Sequence, residues 1–503
     1  MKPYLMFGDQ TFDPHQALPG QADDLLKDLE LEVLLDAMAA GDDFIYEVSQ
    51  TALLTSLVDA EAIRFRQEIL KDCINHRQMV KKIYWISQQA KVLKKRRWLG
   101  IFTHTPSGVL LAAVHLMLMF AELLKYLKQL AVESDGVFES EGFQRFFSMV
   151  KRELSDEYLA AMDEHLEQLR FKSGVWIRAK LGKGNEGADY NLLLPEKKMH
   201  RFFDNLLYRF KIKPVPNAFM VESQDYEGLR ALADLKDRGI NQVANALAQS
   251  AEHIDSFFVD LRTELAFYVG CLNLYDRLQF LGCPMTMPTV YKPEEKRHHF
   301  RDLWEVCLAL TKDGPVVGND LQADGKGLFI ITGANQGGKS TFLRSIGLAQ
   351  LMMGAGMFVA AEDFAANLCA DVYTHFKRQE DETMQSGKLD EELKRMSRIV
   401  DWVAPHALIL FNESFAATNE REGSEIAYQI LSALLDRDIK LFFVTHMFEL
   451  ANTFQNQHTA EVFFLRAERE EDGTRTFKMI KGMPRETSYA EDVFDAVFSD
   501  GGW

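Results

Sequence analysis

Cysteine is scarce and poorly placed for cross-linking. The 503 residues hold five, Cys73, Cys271, Cys283, Cys307 and Cys369, an odd number, far apart and without CxxC spacing. That pattern argues against a disulfide framework or a cysteine-based zinc site and points to a reducing compartment. A secretory leader is also missing from the sequence as read, because Met1 to Gln10 holds one basic residue and no long apolar run. Long hydrophobic runs are lacking as well. The most apolar stretch, Val109 to Ala121, has thirteen residues and is interrupted by His115, which suits a buried core helix rather than a bilayer span of about 20 residues. Nor is there an excess of positive charge. The net charge is −17, which argues against a generally basic protein that coats nucleic acid, although an average can hide a basic face. The expectation is a soluble, cytoplasmic chain with no membrane span.

What is present is a glycine loop in a telling context. Gly333-Ala334-Asn335-Gln336-Gly337-Gly338-Lys339-Ser340-Thr341 fits GxxxxGK[ST]. Before it, Gly327 to Thr332 is short, apolar and rich in β-branched residues. After it, Thr341 to Met353 places Leu343, Ile346, Gln350 and Leu351 at helical spacing. Glycine lets successive backbone N–H groups turn toward a polyphosphate, and a helix N-terminus adds its positive dipole end. Lys339 then neutralises β/γ-phosphate charge and Ser340 is placed to ligate Mg²⁺. The expected cofactors are ATP and Mg²⁺.

Residues 1 to 60 carry twelve acidic and two basic side chains, so residues 1–30 are expected to form an acidic arm, either solvated or docking as a strand. Residues 31–284 read as a helical core and lever domain, with apolar positions three to four apart through LEVLLDAMAAG and Ala60 to Cys73. A basic cluster, Lys91, Lys94, Lys95, Arg96 and Arg97, precedes Trp98 and fits either a solvated helix face or a phosphate contact. From Arg170 to Lys213, eleven Lys/Arg face four Asp/Glu, interleaved with Phe171, Trp176, Tyr190, Phe202, Phe203, Tyr208 and Phe210. Glycines 182, 184 and 187 suggest a hairpin between Val175–Leu181 and Tyr190–Leu194. Two readings fit this interval: a face for a nucleic-acid backbone, or inward-packed aromatics with solvated lysines. A long helix then runs without glycine or proline between Gly239 and Gly270. Lys296-Arg297-His298-His299 reads as surface rather than metal site.

From about residue 285 short apolar runs alternate with helical stretches: Gly327–Thr332, Met357–Ala360, Ala407–Phe411, Lys440–Thr445 and Glu461–Leu465. Such alternation indicates an α/β domain with a largely parallel sheet over 285–503. The run Ala407–Phe411 ends in Asn412-Glu413. In phosphate-loop ATPases the strand here ends in a carboxylate that helps hold Mg²⁺, followed by an acid that polarises water. Glu413 is in place for the water. The Mg²⁺ position is the uncharged Asn412, which predicts weak metal binding or slow turnover. His446, after the next strand, is placed to contact the γ-phosphate.

These residues carry a resemblance. Gly333–Thr341, Asn412-Glu413 with Ala417-Thr418-Asn419 and Glu422-Gly423, and Thr445-His446-Met447-Phe448-Glu449-Leu450 resemble the ATPase domain of the MutS family of DNA mismatch-repair proteins. Lys481-Gly482 with Ser488-Tyr489-Ala490 resembles its closing segment. Arg64-Phe65-Arg66-Gln67-Glu68 resembles the RQ-containing helix of its core, and Val316-Val317-Gly318-Asn319-Asp320 the lead-in to its ATPase domain. The resemblance implies an α/β ABC-type P-loop ATPase domain preceded by a mostly α-helical core and lever, a homodimer with nucleotide sites at the ATPase interface, and an ATP-gated clamp on DNA. Departures from the family pattern accompany it. About 30 residues precede the core, without a Phe-x-Glu wedge, so the mismatch-reading domain is expected to be lacking. Leu389-Asp390 follow Ser386-Gly387-Lys388 where the family has Ser-Thr, Phe415, Ala416 and Ala417 stand for glycines, and a nuclease-like tail is not expected. The expected protein is therefore a divergent, slow ATPase acting on structured or mismatched DNA. The alternative is a nucleotide-gated scaffold that binds protein partners and no DNA. A small-molecule kinase is disfavoured, because Glu413 and His446 suit activation of water.

Overall fold

The computed structural model describes residues 1–97, 105–172, 174–185, 187–193, 221–378, 387–457, 460–470 and 474–484. Two units pack separately: Met1–Pro3, Lys81–Phe138 and Gln144–Arg262 form one, and Tyr4–Val80, Glu139–Phe143 and Thr263–Trp503 the other.

The first unit is built on helices Pro106–Glu133 and Asp156–Leu169, on helix Glu141–Glu153 from Gln144 onward, and on the part of helix Tyr226–Phe280 up to Arg262. Thr105 caps the first of these by accepting from the Gly108 N–H, and Pro106 is preset for a first helical turn. The apolar run seen in the sequence is thus part of a 28-residue helix. Among the described residues it is the one helix long and apolar enough to cross a membrane by length and composition. One face of it, including Leu110, Val114, Phe120 and Leu124, is buried, with the Phe120 and Phe258 rings 5.6 Å apart. Strands β1 (Trp176–Leu181) and β2 (Gly187–Leu193) make the expected hairpin. Ile177 lies against Gly239, where a Cβ would meet its side chain at 2.5 Å, while Trp176 is 60% exposed. Phe202, Phe203, Tyr208 and Phe210 lie outside the described residues.

The second unit joins four helices, Ala22–Asp28, Leu31–Ala39, Asp43–Leu54 and Ala60–Asn75, to two sheets. The smaller sheet pairs β3 (Thr289–Tyr291), β7 (Asp363–Asn367), β4 (His298–Leu303) and β5 (Asn319–Gln322) in that order. The larger contains β6 (Leu328–Thr332), β8 (Val372–Phe376), β9 (Leu408–Asn412), β10 (Lys440–Val444), β11 (Val462–Arg469) and β12 (Arg475–Lys481). Its order is β12-β11-β6-β10-β9-β8, parallel except for the β11–β12 pair. Strands β6 and β10 are buried along their whole length, which is why they read as continuous apolar runs instead of alternating ones.

Three expectations change. The first thirty residues are packed in part: Leu5 and Met6 are fully buried, Tyr268 Oη donates to the Leu5 carbonyl at 2.6 Å, and Arg378 pairs with Asp24 and Asp28, while Asp9, Asp13 and His15 to Leu18 stay exposed. Met357–Ala360 does not form a strand; Val359 exchanges a single pair of backbone hydrogen bonds with Thr286, and the strand follows at β7. His298 is buried, not on the surface. Its ring sits among Phe300, Phe329, Phe364 and Phe442, and burial together with the neighbouring Lys440 holds its pKa well below the usual histidine range.

The Arg66-Gln67 pair has a clear task. Arg66, fully buried, donates from Nε to the Met6 carbonyl at 2.8 Å and from Nη1 to the Ala355 carbonyl at 3.3 Å, and Gln67 donates to the Pro288 carbonyl at 3.0 Å. The guanidinium lies 4.6 Å from the Phe7 ring centroid. One helix is thereby tied to the N-terminal segment and to the end of the helix that follows the glycine loop.

Candidate functional site

Strands β6, β9 and β10 are neighbours in parallel register, so their C-terminal ends lie along one edge. Val444 pairs with both Ile331 and Asn412, and in open parallel sheets that edge is where ligands bind. The loop Gly333–Gly338 leaves β6 there and enters the helix Lys339–Gly354, whose first interior bond runs from Phe342 N–H to the Gly338 carbonyl at 2.9 Å. Gly333 (φ +123°) and Gly338 (φ +87°) are in conformations that favour glycine. At Gly333 a Cβ would strike the Ala467 backbone nitrogen at 2.9 Å, and at Gly337 the Ala334 carbonyl oxygen at 3.0 Å. Gln336 adopts φ +59° and accepts a hydrogen bond from Arg475 Nη1 at 2.9 Å.

A cleft of about 400 Å³ opens over this loop. Asn335 to Thr341 and Glu413 line it on one side, and Leu303, Glu305, Leu308, Lys312, Val316, Val317, Asn319 and Phe477 complete it. Lys339 folds back on its own loop, donating from Nζ to the carbonyls of Gly333 (2.8 Å) and Ala334 (2.9 Å). Burial lowers its pKa while Glu413 opposes that shift. Ser340 Oγ donates to Asn412 Oδ1 at 3.0 Å, which brings the two expected metal-facing residues together across 72 positions of sequence. Glu413 turns out of β9 with φ +54° and is fixed by its N–H to the Val444 carbonyl at 2.9 Å. His446 stands two residues beyond β10, exposed, and is not among the residues that line the cleft.

The oxygens fit a magnesium ion held partly by substrate. Mg²⁺ takes oxygen ligands and is usually bound through one or two protein groups plus phosphates and water. Ser340 Oγ and Asn412 Oδ1 supply two adjacent neutral oxygens, with the Glu413 carboxylate lining the same cleft. The charge that a strand-end aspartate would add is missing.

Sequence reasoning did not find the far wall. Phe477 is 46% exposed and comes from β12, and Glu305 caps the helix Val306–Lys312 by accepting from the Leu308 N–H. Glu305 is 2% exposed, and burial pushes its pKa up to about 7 against the pull of the Leu308 N–H and of Arg344. Neither residue sits in a recognisable pattern; only the Val316–Asp320 lead-in marked this wall. Ser386 and Ser488–Ala490 lie outside the described residues.

A parallel sheet with a glycine loop at its C-terminal edge, a lysine and a hydroxyl opening the next helix, and a carboxylate on the neighbouring strand end define an α/β domain of the ATPase class behind a helical region. The chain belongs to the MutS family: the MutS2 N-terminal domain matches residues 58–281 and MutS domain V matches residues 329–498. The chain is 29% identical over 252 residues to MutS protein homolog 4 of Mus musculus, covering 47% of this chain and 26% of that protein. It is 31% identical over 255 residues to Endonuclease MutS2 of Thermus thermophilus, covering 48% and 33%. With DNA mismatch repair protein MutS of Streptococcus equi it shares 26% identity over 366 residues, covering 66% and 41%. The matched stretch therefore spans between about a quarter and two fifths of the length of these relatives.

Proposed function

We propose that this protein is an ABC-type ATPase that binds ATP in the cleft over Gly333–Thr341, hydrolyses it slowly, and uses occupancy to gate a grip on DNA. The observation that carries the reading is the pairing of Ser340 with Asn412 beside Lys339 and Glu413 on one sheet edge. When ATP enters, Lys339 exchanges its two loop carbonyls for β/γ-phosphate oxygens, and the backbone N–H groups of 335–340 receive the remaining charge. Ser340 and Asn412 would hold Mg²⁺, which supplies charge neutralisation between the phosphates. Glu413 accepts a hydrogen bond from the attacking water. Turnover is slow because the strand end offers an amide where a carboxylate would bind the metal more tightly. Phe477, Val316 and Val317 offer an apolar and aromatic wall to the base.

The helix after the glycine loop ends where Ala355 receives Arg66 and where Leu57 N–H donates to Gly354 at 2.9 Å. Movement of that helix on ATP binding therefore reaches the Ala60–Asn75 helix directly. The functional form is a homodimer through the ATPase domain, and the DNA grip falls to the helical region, where Trp176, Arg178 and Lys180 stand exposed on β1. The names of the relatives, a mismatch-repair protein and an endonuclease among them, support a nucleic-acid role. The net charge of −17 favours the second reading, a nucleotide-gated scaffold for protein partners. Retention on forked and duplex DNA, with and without ATP and over a range of salt, separates the two. A steep loss of affinity with salt supports phosphate contacts, and no retention at low salt supports the scaffold.

A further inference from the structure

The turn that presents Glu413 is held from behind by side chains that do not touch the cleft. Glu413 (φ +54°) and Phe415 (φ +63°) both occupy the left-handed region, which is strained for a residue with a side chain. Ser414 between them is fully buried. Two such residues in three positions relax unless neighbours hold them.

Three neighbours do. His375 on β8 is fully buried and pairs in register with Phe411 of β9. Its Nε2 lies 3.0 Å from the Glu392 carbonyl oxygen. A carbonyl can only accept, so Nε2 carries the proton; Ser414 Oγ lies 2.7 Å from Nδ1 and donates its one hydroxyl proton to the His375 carbonyl at 2.6 Å, so Ser414 is held against both the ring and the backbone of His375. One residue on, the Phe415 N–H donates to Glu392 Oε2 at 2.8 Å, and the Phe415 ring stacks on the imidazole at 5.3 Å with 21° between planes. Glu392, 6% exposed, thus engages the turn twice, through its carbonyl by way of His375 and through its carboxylate directly. Gly423 also closes on the turn, so tightly that a Cβ would lie 2.5 Å from the Phe415 carbonyl oxygen.

We propose that Glu392 and His375 are positioning residues for hydrolysis: they lock residues 413–415 so that the Glu413 carboxylate faces the cleft, and they tie that placement to the helix Lys388–Trp402. The inference rests on Glu413 acting on the attacking water. A displacement of this one helix withdraws both supports together and leaves the glycine loop intact, so turnover and nucleotide affinity are separately adjustable.

Steady-state ATP turnover and calorimetric binding of a non-hydrolysable ATP analogue, measured on the full chain, test this. Glu392→Ala is expected to lower kcat by about tenfold to a hundredfold, the scale of a misplaced catalytic group, with analogue Kd unchanged within about twofold. Glu392→Gln keeps an oxygen able to accept from Phe415 N–H and is expected to retain most of the turnover. The proposal is overturned if folded Glu392→Ala turns over normally, if Glu392→Gln loses as much as Glu392→Ala, or if turnover falls only in step with analogue binding. Glu413→Gln separates the underlying reading: full turnover in that variant removes the role of Glu413 itself, whereas loss of turnover there leaves the Glu392 pair as the deciding comparison.

Discussion

Ser340 Oγ donates to Asn412 Oδ1 at 3.0 Å, joining the first turn of the helix after the glycine loop to the end of β9. An aspartate at 412 would accept the same bond and add a negative charge beside the phosphates. Asn412→Asp is expected to raise turnover about tenfold and to lower the Mg²⁺ concentration needed for tight ATP binding, on the scale by which groups around a metal tune it. Mg²⁺ titration of both nucleotide affinity and rate checks this. No rise in rate at saturating Mg²⁺ would contradict the proposed role of Asn412 in limiting turnover.

Phe477 tests the base side of the cleft. Stacking of a base on an aromatic ring contributes about 1–3 kcal/mol, so Phe477→Ala is expected to weaken ATP about 5- to 150-fold and to leave inorganic tripolyphosphate unaffected. Equal weakening of both ligands would place Phe477 outside the base site.

Gly423 lies inside the helix Glu420–Leu435, where alanine would gain about 1 kcal/mol by helix propensity. The close approach to Phe415 reverses the sign, because the atom met at 2.5 Å is backbone and cannot swing aside. Gly423→Ala is expected to lose about 1–3 kcal/mol by denaturant unfolding and to reduce turnover more than nucleotide affinity. A stabilised variant would show that the turn is free to move.

Glu305 makes stability depend on pH. Its folded-state pKa of about 7 lies above the ordinary value of 4.5, so the folded chain binds this proton more tightly than the unfolded chain. The resulting contribution favours folding below about pH 4.5 and is lost as pH rises toward 7, by about 3 kcal/mol if the whole shift is expressed. Glu305→Gln, which stays neutral throughout, is expected to flatten that part of the profile. Unfolding by urea at pH 5 and pH 7.5 compares the two, and parallel profiles would contradict the assignment.

The sequence made the ATPase sheet legible because its strands are buried on both faces: Leu328–Thr332, Leu408–Asn412 and Lys440–Val444 appear as apolar runs within a residue or two of their ends. The glycine loop, Lys339, Ser340 and the Asn412-Glu413 strand end were legible for the same reason, since local pattern fixes them. What local pattern does not contain was missed. Leu5 and Met6 are buried because Glu264 accepts from both backbone N–H groups, about 260 positions away. β7 has the sequence DFAAN, with few β-formers, and is held by its neighbours β3 and β4 instead of by propensity. His375, Glu392 and Ser414 converge from three elements, and no spacing announces them.

If the loop after β6 binds a nucleoside triphosphate, calorimetric titration of ATP separates the wild-type chain from Lys339→Ala. Saturable binding by the wild type is expected in the presence of Mg²⁺, with none detectable by the variant at the same concentrations. Equal affinity in the two proteins would contradict binding at this loop.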